Sequence, residues 1–274
     1  MSAFSKASEG LEGVPVWTFT TISNMQGAIS SYEKKPKAKP YLIFRPVTTD
    51  DFLGIERARE NGEISRGVRM THYVDWDILI VKVPTAEHEV VHERFKIRLA
   101  IIAAGMGLEY EFCPLGATTY KTLRISKEGD SAFRPLSMRP HKTDWPTIVI
   151  EAGWSESLAR LRRDAHLWLE NSGGDVKIVL IFSISRTARR IIVQKWENRP
   201  VPTNKPATRA ITRAGGNAQT ATLIQAITVD SGSPLTLEFE KLFLRQAVPP
   251  QEHDFTFTTQ DLLAFATSCW NALQ

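Results

Sequence analysis

The chain has 274 residues, 42% of them hydrophobic and 23% charged, which is ordinary globular material and enough for one large core or two small ones. Its two cysteines, Cys113 and Cys269, exclude a disulfide framework and a CxxC metal site, the start MSAFSKASEG lacks the apolar core of a signal peptide, and no apolar run nears the roughly 20 residues of a membrane span. A soluble intracellular protein, of cytoplasm or nucleus, is expected, and its net charge of +4 suits a polyanionic partner without requiring one.

Residues 1 to about 40 are mixed and polar and end in EKKPKAKP, whose lysines and prolines oppose packing and regular structure. They read as a flexible basic arm, its Lys cluster a solvated tail or a nuclear-import or phosphate-binding patch, ahead of a single domain over 41–274. TDDFLGIERAREN reads as a short helix with Thr49 as N-cap, and WDILIVKVP as a strand that Pro84 ends. From Ala86 the apolar residues Val91, Phe95, Leu99 and Ile102 recur at helical spacing, and Gly105 or Gly107 supplies the C-cap.

The start of that helix, TAEHEVVHERF, contains HExxH. A zinc peptidase needs two imidazoles one turn apart, a Glu beside the first and a third ligand further on. His88 and His92 do fall on the inward face with Phe95 and Leu99, while Glu93 and Lys96 point away. However, the pair sits within about two turns of Pro84, an acid follows the second His, and the candidate third ligands Glu109 and Glu111 lie in GLEYEFCPLG, which reads as a strand. The expectation is a histidine pair without zinc, His92 packed near a sheet or lining a cleft, with a zinc hydrolase as the remote alternative.

Further on, TIVIE is a near-continuous apolar run closing on Glu151, as suits a central strand buried on both faces. A carboxylate there needs a counter-ion, a proton or a metal, unless it emerges into solvent at the strand end. Asp130, in EGDSAFRP, is either a ligand or ordinary turn chemistry. Ser155 or Ser157 caps the next helix, with Leu158, Leu161, Ala165 and Trp168 as its apolar stripe and Arg160, Arg163 and His166 on a basic side, either solvated or clamping phosphate. DVKIVLIFSI and RRIIVQKWE read as two strands joined at SRTA, the second more exposed. RPVPTNKPATRAITRAGGNAQTA reads as a loop over about 199–222. A C-terminal extension follows over 223–274, with an edge strand in SPLTLEFEKLFLR and a capped helix in TTQDLLAFATSCWNAL that docks through Leu262, Phe265 and Trp270.

Asp130 in EGDSAFRP, Glu151 in PTIVIEAG, the SES helix start and WLENSGGDVKIVLI resemble a fungal branch of the restriction-endonuclease-like PD-(D/E)XK superfamily, over roughly residues 70–200. The resemblance implies an α/β fold with an αβββαβ core, a central mixed sheet of about four strands flanked by helices, and N- and C-terminal extensions. It implies Asp130 and Glu151 as ligands of Mg²⁺ or Mn²⁺, which would shield a phosphodiester and activate water. In the superfamily a Lys stands two residues after the Glu; here that position is Gly153, so a basic group must reach the site from elsewhere, Arg163 for binding or Lys177 for orienting water. His92 would lend a polar group to the cleft, and Arg160 and Arg163 would hold phosphate. Two functions follow: a metal-dependent nuclease or phosphodiesterase acting on DNA or RNA, and a nuclease-like domain without chemistry that binds nucleic acid or a protein. Homodimerisation would suit an enzyme that cuts both strands.

Overall fold

The computed structural model describes residues 2–34, 39–84, 86–116, 118–154, 158–200, 219–229 and 232–273, with the backbone alone for residues 86–88 and 154. Most of the expected basic arm is folded. Ser2 caps helix α1 (Ala3–Ala7) and Thr21 caps α2 (Ile22–Glu33), in which Met25, Ala28, Ile29 and Tyr32 are buried. That spacing of three, one and three residues makes an apolar stripe, which the polar average of the segment conceals. Strand β1 (Val16–Thr18) then pairs in parallel with β2 (Tyr41–Arg45). Within EKKPKAKP, residues 35–38 lie outside the described residues, while Lys39 donates from Nζ to the Glu12 carbonyl at 2.8 Å.

Helix α3 (Thr49–Glu60) is capped by Thr48, one residue before the expected Thr49. The reason is reciprocal: Thr48 accepts from the Asp51 amide and Asp51 accepts from the Thr48 amide. Strands β3 (Arg69–Tyr73) and β4 (Ile78–Lys82) follow, and with β6 (Tyr120–Lys121) and β7 (Ile125–Lys127) they complete a sheet in the order β1-β2-β4-β3-β7-β6. Helices α2 and α3 cover one face through Met25, Phe52 and Ile55 against Leu42, Phe44, Leu79 and Val81.

The second sheet has the order β12-β11-β10-β9-β8-β5, with β5 (Phe112–Leu115), β8 (Ser131–Pro135), β9 (Ile148–Trp154), β10 (Ile178–Ser185), β11 (Arg190–Pro200) and β12 (Gln219–Thr228). Neighbours run antiparallel except β9 and β10, which are parallel and joined through helix α5 (Leu158–Asn171). The TIVIE run therefore supplies an interior strand. Residues 201–218 of the expected loop lie outside the described residues, and its last positions, 219–222, belong to β12.

Helix α4 (Ala86–Gly105) packs on one face of this sheet through Val91, Phe95 and Leu99. It shares that face with a ribbon of β13 (Leu235–Leu237) and β14 (Phe255–Phe257), the short helix α6 (Phe239–Phe243) and helix α7 (Thr259–Ala272). SPLTLEFEKLFLR is thus half ribbon and half helix rather than one edge strand, because Phe239, Leu242 and Phe243 bury together only on a helical turn. The strand β11 is also more buried than its polar sequence suggests. Lys195 and Glu197 on it are about 3% exposed and neutralise each other at 3.1 Å, with Glu238 and Lys241 completing the network.

Helix α5 lies between the two sheets. Leu161, Ala165 and Trp168 pack on the second sheet, while Leu167 joins Tyr41, Ile43, Tyr73 and Ile80 of the first. The chain also links the sheets, since β6 and β7 fall between β5 and β8 yet join the first sheet, β7 pairing with β3 and β6 with β7. The result is a mixed α/β molecule. Among the described residues no helix is long and apolar enough to cross a membrane.

Candidate functional site

Asp130 and Glu151 come together where the two sheets face each other across α5. The antiparallel register Ser131↔Ile150 sets Asp130 across from Glu151, and strand alternation turns Glu151 to the same face as Val149, under α5. Gly129 permits this: a Cβ at that position would stand 3.0 Å from Val149 Cγ1 and 3.2 Å from Trp168 Cζ2. Asp130 Oδ2 accepts from the Ala152 amide at 2.8 Å, tying the start of β8 to β9. Glu151 Oε1 accepts from the Trp168 indole at 2.6 Å. Both residues are at most 4% exposed.

Two lysines from the first sheet close the site. Lys82, the last residue of β4, donates from Nζ to Asp130 Oδ2 at 3.0 Å and to the Ala152 carbonyl at 2.7 Å. Lys127, the last residue of β7, lies 3.2 Å from Glu151 Oε1 and 2.7 Å from Asp164 Oδ1. Arg160 forms a two-pronged contact to Asp164 at 3.0 and 3.2 Å and donates to the Ala7 carbonyl at 2.9 Å. Lys82, Lys127 and Arg160 line, with Glu151, Asp164, Arg69 and Glu128, a buried space of about 10 Å³, room for about one water molecule.

The titration of these groups follows from burial and from one another. For Glu151 burial is the largest influence and pushes the carboxyl up to about 7, Lys127 opposing it and Asp130 adding to it. For Lys127 burial works downward, but Asp164 and Glu151 outweigh it and the ammonium is held above its ordinary value. Burial would raise Asp164, yet Arg160 and Lys127 keep it below the usual carboxylate range.

The structure places the other expected site residues elsewhere. Arg160, read as part of an exposed basic side, is 1% exposed because α5 is covered on both sides, and its guanidinium is engaged by Asp164 and Ala7. Arg163 is half-buried and makes no contact with the carboxylates described above. Lys177 precedes β10 by one residue, donates to the Gly174 carbonyl at 2.6 Å, and enters at the level of Thr147, four residues along β9 from Glu151. At about 3.3 Å per residue that is roughly 13 Å away. Serines 155 and 157 lie outside the described residues.

His92 is fully buried on the opposite face of the second sheet, its Nδ1 2.9 Å from Ser131 Oγ and its Nε2 3.1 Å from Glu89 Oε2. It pins α4 to the sheet. Glu89, His92 and Glu93 have ligand atoms close enough to share an ion, but Glu93 is engaged by Lys96. Glu111 instead receives the Ser137 amide at 3.0 Å, beyond the far end of α4. That end is roughly 20 Å along the axis from His92 at 1.5 Å per residue. The side chain of His88 lies outside the described residues.

Sequence reasoning missed Lys82 and Lys127. Each had one local signal, a lysine ending a run of buried strand residues, ILIVK and ISK. Outside the cluster a cleft of about 830 Å³ opens beside α3 and the ends of β3 and β4, lined by Arg59, Arg66 and Arg69 together with Glu56, Glu89 and Glu128. Arg69 and Glu128 line both this cleft and the inner cavity.

The donors at the inner site are hard oxygens, the chemistry Mg²⁺ and Mn²⁺ select. The residues nevertheless do not fit a divalent ion as they stand, because ammonium groups already lie against those oxygens. An added double charge beside them in so small a space would be costly. Neither a protein-family model nor a curated protein sequence matches the chain. A crystal structure from Anabaena variabilis, provisionally described as a nuclease belonging to DUF820, is similar at a TM-score of 0.42 and 12% identity, covering 81% of this chain and 99% of that one.

Proposed function

We propose that the second sheet and its helices form a nuclease-like core that binds a partner without metal-dependent hydrolysis. The order α4, β5, β8, β9, α5, β10 supports the αβββαβ core, and the facing positions of Asp130 and Glu151 support descent from an acidic phosphodiester site. One observation carries the loss of chemistry: Lys82 and Lys127 neutralise those carboxylates within 3.2 Å. A catalytic metal needs open coordination positions, and here the carboxylates are sealed between two sheets. The partner would meet the cleft, whose lining of both signs suits a polypeptide better than a phosphate backbone, which the glutamates repel.

The test is an assay of single- and double-stranded DNA and RNA with Mg²⁺ and with Mn²⁺, comparing wild type with Glu151→Ala. Equal cleavage at background level is the expected result. Cleavage by wild type that Glu151→Ala abolishes would reinstate a metal-dependent nuclease. Retention of nucleic acid that weakens steeply with salt would make nucleic acid the partner instead of protein.

A further inference from the structure

We infer that the solvent side of α4 is a self-association surface, on which a second copy of the chain lays its own α4 antiparallel about a two-fold axis near Ile101. The inference goes beyond the nuclease-like reading of the core and does not depend on it. A helix that covers a sheet needs one apolar side, and α4 has two. Val91, Phe95, Leu99 and Ala103 pack on the second sheet. On the outside Ile97, Ala100, Ile101 and Ala104 recur at a spacing of three, one and three residues, and there Ile97 and Ile101 are 54% and 57% exposed. From Leu99 to Leu108 the stretch LAIIAAGMGL carries no charged, hydroxyl or amide side chain. The outer side of about two helical turns therefore presents only hydrocarbon side chains to water, the mark of a contact surface. Ala100 and Ala104 beside the isoleucines leave room for a second helix to approach closely.

Charge decides the occupant and its direction. Arg98 is held by Asp261 of α7 at 3.1 Å, and Glu93 is engaged by Lys96. That leaves Arg94 ahead of the apolar stretch and exposed Glu109 in the turn beyond it, neither of them in an ion pair among the described residues. The surface is thus positive at one end, apolar in the middle and negative at the other. Laid antiparallel on itself about Ile101, it sets position 94 of one copy level with position 108 of the other, beside Glu109 of the partner subunit. The two-fold axis repeats the contact, so one interface holds two such pairs. A parallel arrangement would set Arg94 on Arg94 and align the helix dipoles, and both effects oppose it. Beside the stripe a groove of about 260 Å³ lies between Arg94, Ile97 and Arg98 of α4 and Ala264, Phe265 and Ser268 of α7. The antiparallel pairing brings Tyr110, 85% exposed in the single chain, to the same end of the interface, where a phenol ring against guanidinium groups is a favourable contact. A second copy meets the stripe, the charges and the groove at once, by symmetry alone.

Sedimentation equilibrium of the full chain over a range of concentrations tests the inference, with far-ultraviolet circular dichroism reporting the fold of each protein. The proteins are wild type, Ile101→Glu, Ile97→Glu, Arg94→Glu, Glu109→Arg and the double reversal Arg94→Glu/Glu109→Arg. Wild type is expected to reach twice the chain mass. Ile101→Glu, which places two carboxylates face to face at the axis, is expected to stay at one chain mass with the wild-type spectrum, because the position is exposed in the single chain. Ile97→Glu on the same face is expected to do the same and keeps the test in place if Ile101→Glu misfolds. Each single reversal sets like charges opposite one another and should raise the dissociation constant roughly tenfold, while the double reversal should return it to within roughly threefold of wild type. Wild type at one chain mass at every concentration overturns the inference and leaves the surface to a different protein. A wild-type dimer that both glutamate variants leave intact overturns it too, since the contact then lies elsewhere. A double reversal no tighter than the single ones excludes the antiparallel register and overturns it as well.

Discussion

Glu151 accepts from the Trp168 indole and lies 3.2 Å from the Lys127 ammonium, yet burial foremost carries its carboxyl up to about 7. In the unfolded chain the same group releases its proton near 4.5. Between those values the native state holds a proton that the unfolded state has lost, so this group makes stability fall as pH rises through the window. The full effect is up to about 3 kcal/mol, at roughly 1.4 kcal/mol per pH unit. Asp164, held low, contributes in the opposite sense and only at acid pH, its stabilisation vanishing as pH drops below the ordinary carboxylate range. His72 is lowered from 6.5, mainly by burial, so its contribution grows as pH rises toward 6.5 and partly offsets Glu151. The comparison that isolates Glu151 is therefore wild type against Glu151→Gln. Melting curves from pH 5 to pH 8 should show the variant gaining on wild type as pH rises. A difference independent of pH would mean that Glu151 is ionised throughout.

At the scale of elements, β8 and β9 meet α5 through Gly129, where a Cβ would press to 3.0 Å from Val149 and 3.2 Å from Trp168. Gly129→Ala should destabilise the fold by roughly 1–3 kcal/mol through overpacking, read from the midpoint of urea unfolding. A shift below about 0.5 kcal/mol would show that α5 gives way. The elements legible in the sequence were those whose own pattern decides them. TIVIE is apolar enough to demand two covered faces, and Val91, Phe95 and Leu99 repeat at the helical period that buries α4. Helix α2 carried the same signal at Met25, Ala28, Ile29 and Tyr32, but lysines, prolines and serines around it dominated the reading. The candidate site was half legible for a related reason. Asp130 and Glu151 lie at strands adjacent in the chain, whereas Lys82 and Lys127 reach them from the first sheet, and no local pattern announces a contact such as that of Lys82 with Asp130, 48 positions apart. Arg160 and Asp164 stand four residues apart on α5, a spacing that the basic character of that side obscured. What concealed their burial was the first sheet, which covers the side of α5 that composition marked as polar.

For the whole molecule, α5 is shared by two cores, and Arg160 ties it to α1 as well as to Asp164. The first and second sheets should therefore unfold in one transition, with tryptophan fluorescence and far-ultraviolet circular dichroism coinciding. Arg160→Ala should cost about 3–5 kcal/mol, because it leaves Asp164 buried with less positive charge than it needs. Separate transitions for the two signals in wild type would mean that the sheets are independent units. At the inner site that these layers enclose, the protein's own ammonium groups lie against Asp130 and Glu151. Titration of Mn²⁺ into wild type and Glu151→Gln at pH 8, followed by electron paramagnetic resonance, distinguishes these groups from a metal as the counter-charge. No stoichiometric bound ion is expected in either protein; one ion per chain in wild type, lost in Glu151→Gln, would show instead that the site takes a divalent cation.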